Sequence, residues 1–172
     1  AGVPVIVRGG GTSQNGQPIG AGLVIDCSRY FNHLIDYDSA SRRVRVQSGM
    51  VLERLNARLR ADGLFFPVEP STASRCTIGG MAGNNSCGAR SLVFGKMVDN
   101  VLSIDALLAD GAAMHFGARS TMGQHALADG MIAIAARERD EILQRYPQVQ
   151  RRVGGYNLDA LLVPDPNLAH LM

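Results

Sequence analysis

Two clusters of glycine hold the residues of this chain that could bind a ligand. The first, RGGGTS, runs from Arg8 to Ser13 and follows the apolar stretch 3–7. The second, TIGGMAGNNSCG, runs from Thr77 to Gly88. Glycine loses more backbone entropy on folding than any other residue, so dense clusters indicate backbone that takes positive φ angles or closely approaches another group. A glycine loop after a strand can direct successive N–H groups at a phosphate.

The spelling of these clusters excludes two familiar phosphate-binding motifs. A P-loop needs Gly-Lys followed by Ser or Thr, but the Gly-Lys pair here is followed by Met97. Gly9 and Gly11 begin a G-x-G-x-x-G fingerprint, but Gln14 stands where its third glycine is required. Two separate glycine strips suit a long ligand, such as a dinucleotide held between two subdomains. Tight turns alone would explain the same glycines, so the residues leave both interpretations open.

The elements that must position these clusters follow from hydrophobic periodicity. Apolar or alternating runs predict strands, and apolar residues at helical spacing predict helices. Gly63 is placed to end one helix in a left-handed conformation, and Asp110-Gly111 predicts a β-hairpin. The predicted elements are a buried strand 3–7, strands 23–28 and 43–49, a helix from 51 to Gly63, an extended segment 64–74, the hairpin around 110–111 and a helix 131–146.

Composition predicts a globular protein of mixed helix and strand. The chain has 172 residues, of which 46% are hydrophobic and 19% are charged, and tryptophan is absent. We therefore expect a mainly aliphatic core. The net charge is only +2 and the basic residues are scattered, so we expect no nucleic-acid partner.

Cysteine and histidine usage favours a cytoplasmic protein without a metal site. Cys27, Cys76 and Cys87 form no C-x-x-C pair, which predicts reduced thiols in a reducing compartment. The four histidines are isolated, without the spacing of metal ligands. No apolar run approaches the roughly 20 residues of a membrane span.

Several spaced motifs together resemble a known family. They are VPVIVRGGGTSQNG, VIDCSR, VQSGMVLERLNARL, EPSTASRCTIGGMAGNNSCGARSLVFGKMVDNV, ALLADG and GYNLDALL. Their order and spacing resemble the FAD-binding region of FAD-linked oxidases of the vanillyl-alcohol oxidase/p-cresol methylhydroxylase type, in the branch of D-lactate, glycolate and D-2-hydroxyglutarate dehydrogenases. The resemblance implies an α+β FAD-binding domain of two α/β subdomains, truncated at both ends. Residues of about 1–50 would end the first subdomain, about 51–172 would form an incomplete second one, and the substrate (cap) domain would be absent.

The resemblance also implies which residues bind the cofactor. Arg8 would position a diphosphate-binding loop, Pro70 and Ser71 would pass close to the flavin ring, and a second strip would follow the cofactor. The loop residues are Gly9, Gly10, Gly11, Thr12 and Ser13, and the strip residues are Thr77, Ile78, Gly79, Gly80, Asn85, Ser86 and Gly88.

Departures from the family pattern predict non-covalent FAD, which this fragment alone could lack. Relatives with covalently attached flavin carry a histidine in the first loop, where Thr12 and Ser13 stand here. Bicovalent members add a cysteine at the position that Ala73 occupies. Cys87 replaces a small residue, and we expect it to be a packed thiol rather than a catalytic one.

For the full-length parent, the resemblance implies oxidation of a small D-2-hydroxy acid, with electrons passed to a quinone, a partner flavoprotein or an iron–sulfur domain. We assign no catalytic residue to this chain, because the catalytic histidine of such relatives lies in the substrate domain. The alternatives are another flavoenzyme on the same domain, of the aldonolactone oxidase or enolpyruvyl-sugar reductase type, and a non-catalytic nucleotide-binding module. We also expect self-association through exposed apolar surface, and a cytoplasmic location that could be peripheral to the inner membrane in the parent.

Overall fold

The computed structural model of the protein describes residues 2–172. Contacts divide the chain into a first compact unit that ends at Phe94 and a second unit, Gly95–Met172. Both units mix short helices with two-stranded sheets, which confirms the predicted α+β class. The subdomain boundary expected near residue 50 stays a prediction.

The first unit places a parallel pair of strands before an antiparallel pair and then several short helices. In the parallel pair Val5 lies opposite Leu23, and Arg8 lies opposite Asp26. The elements are β1 (Val5–Arg8), β2 (Leu23–Asp26), α1 (Cys27–Tyr30), β3 (Leu34–Asp38), β4 (Arg43–Val46), α2 (Leu52–Leu59), a 3₁₀ helix (Arg60–Asp62), α3 (Ile78–Gly83) and α4 (Ser91–Phe94).

Helix α2 supplies much of the core of this unit. Leu52, Leu55 and Leu59 recur at helical spacing and are all buried. Leu55 and Leu59 pack with Met50, and partly buried side chains of β3, β4 and α3 surround them. Gly63 follows the 3₁₀ turn with φ of 69°, which confirms the predicted left-handed end.

Strand β3 was not predicted, because its sequence LIDYD carries two aspartates, which are depleted in strands. Pairing with β4 stabilises it, and Tyr37 adds a hydrogen bond from its hydroxyl to Asp62 Oδ2 at 2.8 Å. The strand therefore depends on a tertiary contact that local sequence does not show.

The expectation of a buried first strand is wrong. Val5 and Val7 are 57% and 67% exposed, and Leu23 and Ile25, their partners in β2, lie on the same open face. Both faces of a parallel sheet are ordinarily covered, so this is an exposed apolar surface of the kind predicted. Self-association through it stays a prediction.

The second unit is built on one hairpin and two consecutive helices. Gly111, with φ of 86°, lies in the turn between the hairpin strands, as predicted. The elements are α5 (Met97–Asn100), β5 (Ile104–Leu107), β6 (Ala113–Phe116), a 3₁₀ helix (Arg119–Thr121), α6 (Ala126–Arg137), α7 (Arg139–Arg145) and 3₁₀ helices Leu158–Leu161 and Leu168–Leu171.

The single helix predicted for 131–146 is wrong in its start and in its continuity. Helix α6 begins at Ala126, because the segment ALADG before Met131 continues the helix despite its glycine. Glu138, with φ of −93° and ψ of 14°, separates α6 from α7. The end before Pro147 is as predicted, with Tyr146 as the C-terminal cap.

The core of the second unit is aliphatic, as expected. Its buried residues are Met114, Ala128, Ala135, Ile142, Leu161 and Leu168. None of the helices within residues 2–172 is both long and apolar enough to cross a membrane.

Candidate cofactor site

The structure brings the two glycine clusters together in the first unit, around a cavity of about 310 Å³. The first loop forms one side of the cavity, and the segment from Pro70 to Ser86 forms the other. The predicted residues that line it are Gly9, Gly10, Gly11, Thr12, Ser13, Pro70, Thr77, Gly80 and Ser86. Arg8, Ser71, Ile78, Gly79, Asn85 and Gly88 are not among its lining residues.

The glycines of the first loop let it lie directly against the second segment. A β-carbon on Gly9 would collide with Thr77 Oγ1, and one on Gly10 would collide with the carbonyl oxygen of Arg75. Backbone carbonyls cannot move aside as flexible side chains can, so only glycine fits at position 10. Close approach of one backbone segment to another therefore explains Gly9 and Gly10. It is one of the two explanations that the sequence offered for the glycine clusters, the other being positive φ angles.

Gly11 is a glycine for a different reason. Its φ is 65°, and a β-carbon there would lie 2.5 Å from Nη2 of Arg8. The Arg8 guanidinium therefore lies against the turn of the loop, outside the cavity. Arg8 also faces Asp26 across the β1–β2 pair, where hydrogen bonds from Ser28, and to a smaller extent the Arg8 charge, lower the pKa of that carboxyl.

Residues Ile78–Gly83 of the second cluster form a short helix, α3, which the sequence did not predict. Thr77 caps it, since its Oγ1 accepts a hydrogen bond from Gly80 N at 3.4 Å. The N–H groups of Ile78 and Gly79 donate to the carbonyls of Met50 and Ser48, both at 2.8 Å. Two of the predicted strip residues therefore anchor the helix to the preceding turn, and their N–H groups are already used.

Gly79 is held closely in that position. A β-carbon on it would lie 2.6 Å from Ser48 Cβ and 3.0 Å from Ser48 O. Ile78 packs against the core cluster that contains Met50. Contacts with Ser48 and Met50 thus hold helix α3 in place without a ligand.

Gly88 and Asn85 act at the far end of the second cluster. A β-carbon on Gly88 would collide with the carbonyl oxygen of Glu69, so Gly88 fixes the backbone next to Pro70, which lines the cavity. Asn85 is 2% exposed and has φ of 43°, a left-handed conformation that asparagine tolerates better than most residues. It turns the chain after α3, so that Ser86 reaches the cavity.

The cavity lining carries no charged side chain. It offers hydroxyl and amide groups from Thr12, Ser13, Gln17, Thr72, Thr77, Asn84 and Ser86. Within the described residues, no hydrogen bond uses the backbone N–H groups of Gly10, Gly11, Thr12 or Ser13. Free N–H groups and hydroxyls can bind phosphate oxygens without cationic side chains.

Cys76 is the one ionisable group in the lining. It is 4% exposed, and burial raises the pKa of its thiol above the ordinary value of 9.0. The thiol is therefore protonated and uncharged at neutral pH. It does not oppose the binding of an anion.

Sequence reasoning missed several lining residues. They are Val7, Gln17, Pro18, Thr72, Cys76, Met81 and Asn84. Thr72, Cys76, Met81 and Asn84 lie in or beside the second cluster and could have been found by extending it. Gln17 and Pro18 return to the cavity because Gly16, with φ of 82°, reverses the loop. The dipeptide Asn15-Gly16 indicates a turn, but it does not show that the turn leads back to the cavity.

A nonhelical glycine loop and a capped helix share an uncharged cavity, whose free N–H groups and hydroxyls are suited to phosphate oxygens. Comparison with known proteins gives the family. Residues 1–117 match the model of the FAD binding domain, and the chain belongs to this family. FAD is thus its cofactor, which confirms the cofactor prediction, and the residues present fit it because they supply uncharged donors for its diphosphate.

Related proteins extend the similarity beyond the matched domain. The chain is 35% identical over 161 residues to the D-2-hydroxyglutarate dehydrogenase of Pantoea ananatis, an alignment that covers 88% of this chain and 16% of that protein. It is 28% identical to the D-lactate dehydrogenase of Archaeoglobus fulgidus, covering 99% of this chain and 38% of that protein. The chain thus spans less than half of the length of each of these relatives.

The fold is also similar to a solved flavoenzyme. The crystal structure of 6-hydroxy-D-nicotine oxidase from Arthrobacter nicotinovorans superimposes with a TM-score of 0.60 at 25% sequence identity. The match covers 67% of this chain and 25% of that protein. The family and fold predicted from the sequence are therefore confirmed, whereas the assignment of individual cofactor-binding residues stays a prediction.

Proposed function

We propose that this chain is the FAD-binding part of a flavin-dependent oxidoreductase that oxidises a D-2-hydroxy acid. The observation that carries the proposal is the convergence of both glycine clusters on one uncharged cavity. Gly10, Gly11, Thr12 and Ser13 would bind the diphosphate through their backbone N–H groups, and Thr12 would add its hydroxyl. Pro70 and Ser86 would line the path of the rest of the cofactor.

The roles of the chain's own residues are to bind and to orient. The capped α3 helix and the Gly88–Glu69 contact fix one wall, and the loop on β1 and β2 fixes the other. FAD, when bound, supplies the acceptor for two electrons in the oxidation of an alcohol to a ketone. No described residue is assigned as the base that removes the hydroxyl proton.

The substrate class is supported by the relatives. The proteins from Pantoea ananatis and Archaeoglobus fulgidus are named for the oxidation of D-2-hydroxyglutarate and D-lactate, both of which are D-2-hydroxy acids. We propose the same class for the full-length protein, with a quinone or an iron–sulfur domain as the electron acceptor and a cytoplasmic location. Another flavoenzyme activity on the same domain is the alternative.

The first experiment is a titration of the purified chain with FAD, followed by visible absorption and flavin fluorescence. We expect saturable binding, and acid precipitation should leave all the flavin in the supernatant because the attachment is non-covalent. Absence of binding at high FAD concentration would show that the residues of this chain are not sufficient to form the FAD site, and flavin that remains in the precipitate would contradict non-covalent attachment.

The substrate class requires the full-length protein. D-2-hydroxyglutarate, D-lactate and glycolate should each be added anaerobically, with the L-enantiomers of the two chiral acids as controls. Bleaching of the flavin band by a D-acid and not by its L-enantiomer supports the proposal. If no 2-hydroxy acid bleaches the flavin, the substrate assignment is wrong, whereas FAD binding by this chain would be unaffected.

A further inference from the structure

Asn15 and Gly16 form the only Asn-Gly dipeptide of the sequence, and both residues are exposed in the loop between β1 and β2. Gly16 has a φ of 82°, and a β-carbon on it would meet no atom within 4 Å. The turn that follows uses the Gly16 carbonyl, since Ile19 N donates to Gly16 O at 3.2 Å. Packing therefore does not restrict how the Asn15 side chain approaches the backbone of Gly16.

The carboxamide of Asn15 is unrestrained, unlike those of most other asparagines. Within residues 2–172, no hydrogen bond uses the Asn15 side chain. Asparagine side chains form hydrogen bonds at Asn32, Asn56, Asn84, Asn100, Asn157 and Asn167. Aspartates that precede a glycine are held too, with Asp62 accepting from Tyr37, Asp110 from Ala112 and Asp129 from Arg119. Asn15 thus combines an unrestrained side chain with a following glycine.

An asparagine in this situation can react with its own backbone. After hydroxide removes its proton, the backbone nitrogen of Gly16 attacks Cγ of Asn15, and the carboxamide nitrogen leaves as ammonia. Water then opens the resulting succinimide ring to aspartate or isoaspartate, so the reaction consumes water and releases ammonia without any change of oxidation state. Glycine favours the attack because it has no side chain to crowd the nitrogen. We propose that Asn15 is a site of spontaneous deamidation in the folded protein.

The modification should also disturb the cavity, a consequence that rests on the proposed function. Ser13 and Gln17, on either side of Asn15, line the cavity. Isoaspartate carries the main chain through its side chain and so lengthens the backbone between these two residues. Because adjacent strands fix both ends of the loop, the extra length shifts Ser13 or Gln17 relative to the opposite wall. We therefore expect the isoaspartate form to bind FAD more weakly.

The test follows the mass of tryptic peptides while the purified chain is incubated at mildly alkaline pH. Trypsin cleaves after Arg8 and Arg29, and the peptide 9–29 contains Asn15 as its only asparagine. A synthetic peptide 9–29 gives the rate of the unfolded sequence. Asn15→Gln, whose side chain is longer and closes the ring far more slowly, is the unreactive variant. Asn84 is the internal control, since it is exposed but donates to Gly80 O at 3.0 Å and precedes no glycine.

We expect Asn15 of the folded chain to convert at a rate within about tenfold of that of the free peptide, because exposed loops open at little cost in free energy. The rate should rise with hydroxide concentration, and Asn84 should stay unmodified. In fluorescence titrations the isoaspartate fraction should bind FAD about threefold to tenfold more weakly, which is the effect of losing about one hydrogen bond. Asn15→Asp adds the charge without the longer backbone and should bind like the unaltered chain.

The outcomes for the modification and for the cofactor site can be distinguished. If the synthetic peptide converts while peptide 9–29 of the folded chain does not, the loop protects Asn15 and the inference is wrong. Equal conversion in Asn15→Gln would also overturn it, because Gln14 or Gln17 would then be the reacting residue. Equal FAD affinity of the isoaspartate fraction would overturn the effect on the cavity. If the unaltered chain binds no FAD, its residues do not suffice for the FAD site, whereas the mass measurement still decides whether Asn15 deamidates.

Discussion

Gly10 lies against the backbone carbonyl of Arg75, so closely that a β-carbon on Gly10 would collide with that oxygen. The two residues are far apart in the sequence, and each belongs to the neighbourhood of a different glycine cluster. This contact joins the clusters into one cavity. The glycine is needed by the protein's own backbone before any cofactor is bound.

Gly10→Ala should therefore damage the site itself. The alanine methyl group must displace either the loop or the Arg75 carbonyl, and we expect at least about tenfold weaker FAD binding together with a loss of about 1–3 kcal/mol in the free energy of unfolding. FAD titration and urea denaturation measure the two effects. Gln14→Ala, an exposed substitution in the same loop, should change neither. Unchanged FAD affinity in Gly10→Ala would show that the close approach is not required.

Two glycines of helix α3 should respond in opposite ways to the same substitution. A β-carbon at position 79 would lie 2.6 Å from Ser48 Cβ, whereas one at position 83 would meet nothing within 4 Å. We expect Gly79→Ala to lower the free energy of unfolding by about 1–3 kcal/mol. Gly83→Ala should leave it unchanged or raise it by up to about 1 kcal/mol, because alanine favours helix. Urea denaturation followed by circular dichroism measures both, and equal effects would contradict the packing of α3.

FAD binding should depend little on salt. The residues that line the cavity are uncharged, so few ion pairs are available for salt to screen. We expect the dissociation constant to change by less than about threefold between low and high sodium chloride concentrations. Circular dichroism at each salt concentration provides the control for folding. A tenfold weakening would mean that a cation, with Arg8 as the first candidate, binds the diphosphate directly.

The thiol of Cys76 should react more slowly than the other two. It is buried, whereas Cys27 and Cys87 are only partly so, and its raised pKa keeps the reactive thiolate rare at neutral pH. Mass spectrometry after timed alkylation should find Cys76 modified last, and bound FAD should slow it further because Cys76 lines the cavity. Modification of Cys76 at the rate of Cys87 would contradict its burial.

The raised pKa of Cys76 also predicts that the protein becomes less stable at alkaline pH. The unfolded chain loses the Cys76 proton near pH 9, whereas the folded chain retains it to a higher pH. The contribution of this group to stability is therefore complete below the unfolded pKa and is lost as the pH rises through the folded pKa. Cys76→Ala should remove this part of the alkaline loss in urea denaturation between pH 8 and 10.

The second unit should depend on Arg152. Its Nη2 donates to Asp159 Oδ1 at 2.6 Å and to Asn157 Oδ1 at 3.1 Å, and its guanidinium lies 4.6 Å from the ring centre of Tyr146. We expect Arg152→Met to lower the free energy of unfolding by about 1–3 kcal/mol, since the Asp159 and Asn157 oxygens lose their donor. Arg152→Lys should recover only part of this loss, because lysine lacks the planar fork.

Arg151 provides the matched control for that prediction. It is exposed beside the partly buried Arg152. Arg151→Met should leave the stability within about 0.5 kcal/mol of the unaltered chain. Equal effects of the two substitutions would show that general charge, and not the Asp159 contact, is responsible.

The sequence was most informative where local chemistry decides the structure. Gly63 and Gly111 could be placed because left-handed backbone strongly favours glycine. The family could be named from ordered motifs, and the glycine clusters directed attention to segments that line one cavity in the structure. The helical nature of α3 was hidden, because glycine-rich sequence disfavours a helix that here is stabilised by the Thr77 cap and by bonds to Ser48 and Met50.

Part of the site could not be predicted, because it depends on contacts between segments distant in sequence. Gly88 appeared to be a ligand contact, but its place is set by the carbonyl of Glu69. Gln17 was missed, because the turn that Asn15-Gly16 indicates does not by itself show that Gln17 reaches the cavity. Glycine marks a place of close approach, and only the folded chain shows which group approaches.

Strands β1 and β2 run parallel, and the connection between them, residues 9–22, contains no helix. Parallel strands are usually joined through a helix, whereas here the loop that carries the first glycine cluster is itself the crossover. Both ends of the loop are thus fixed by adjacent strands, so much of its conformational entropy is lost when the protein folds and not when the cofactor binds. The association of FAD should accordingly be a single fast kinetic phase that is first order in FAD, without a slow ordering step.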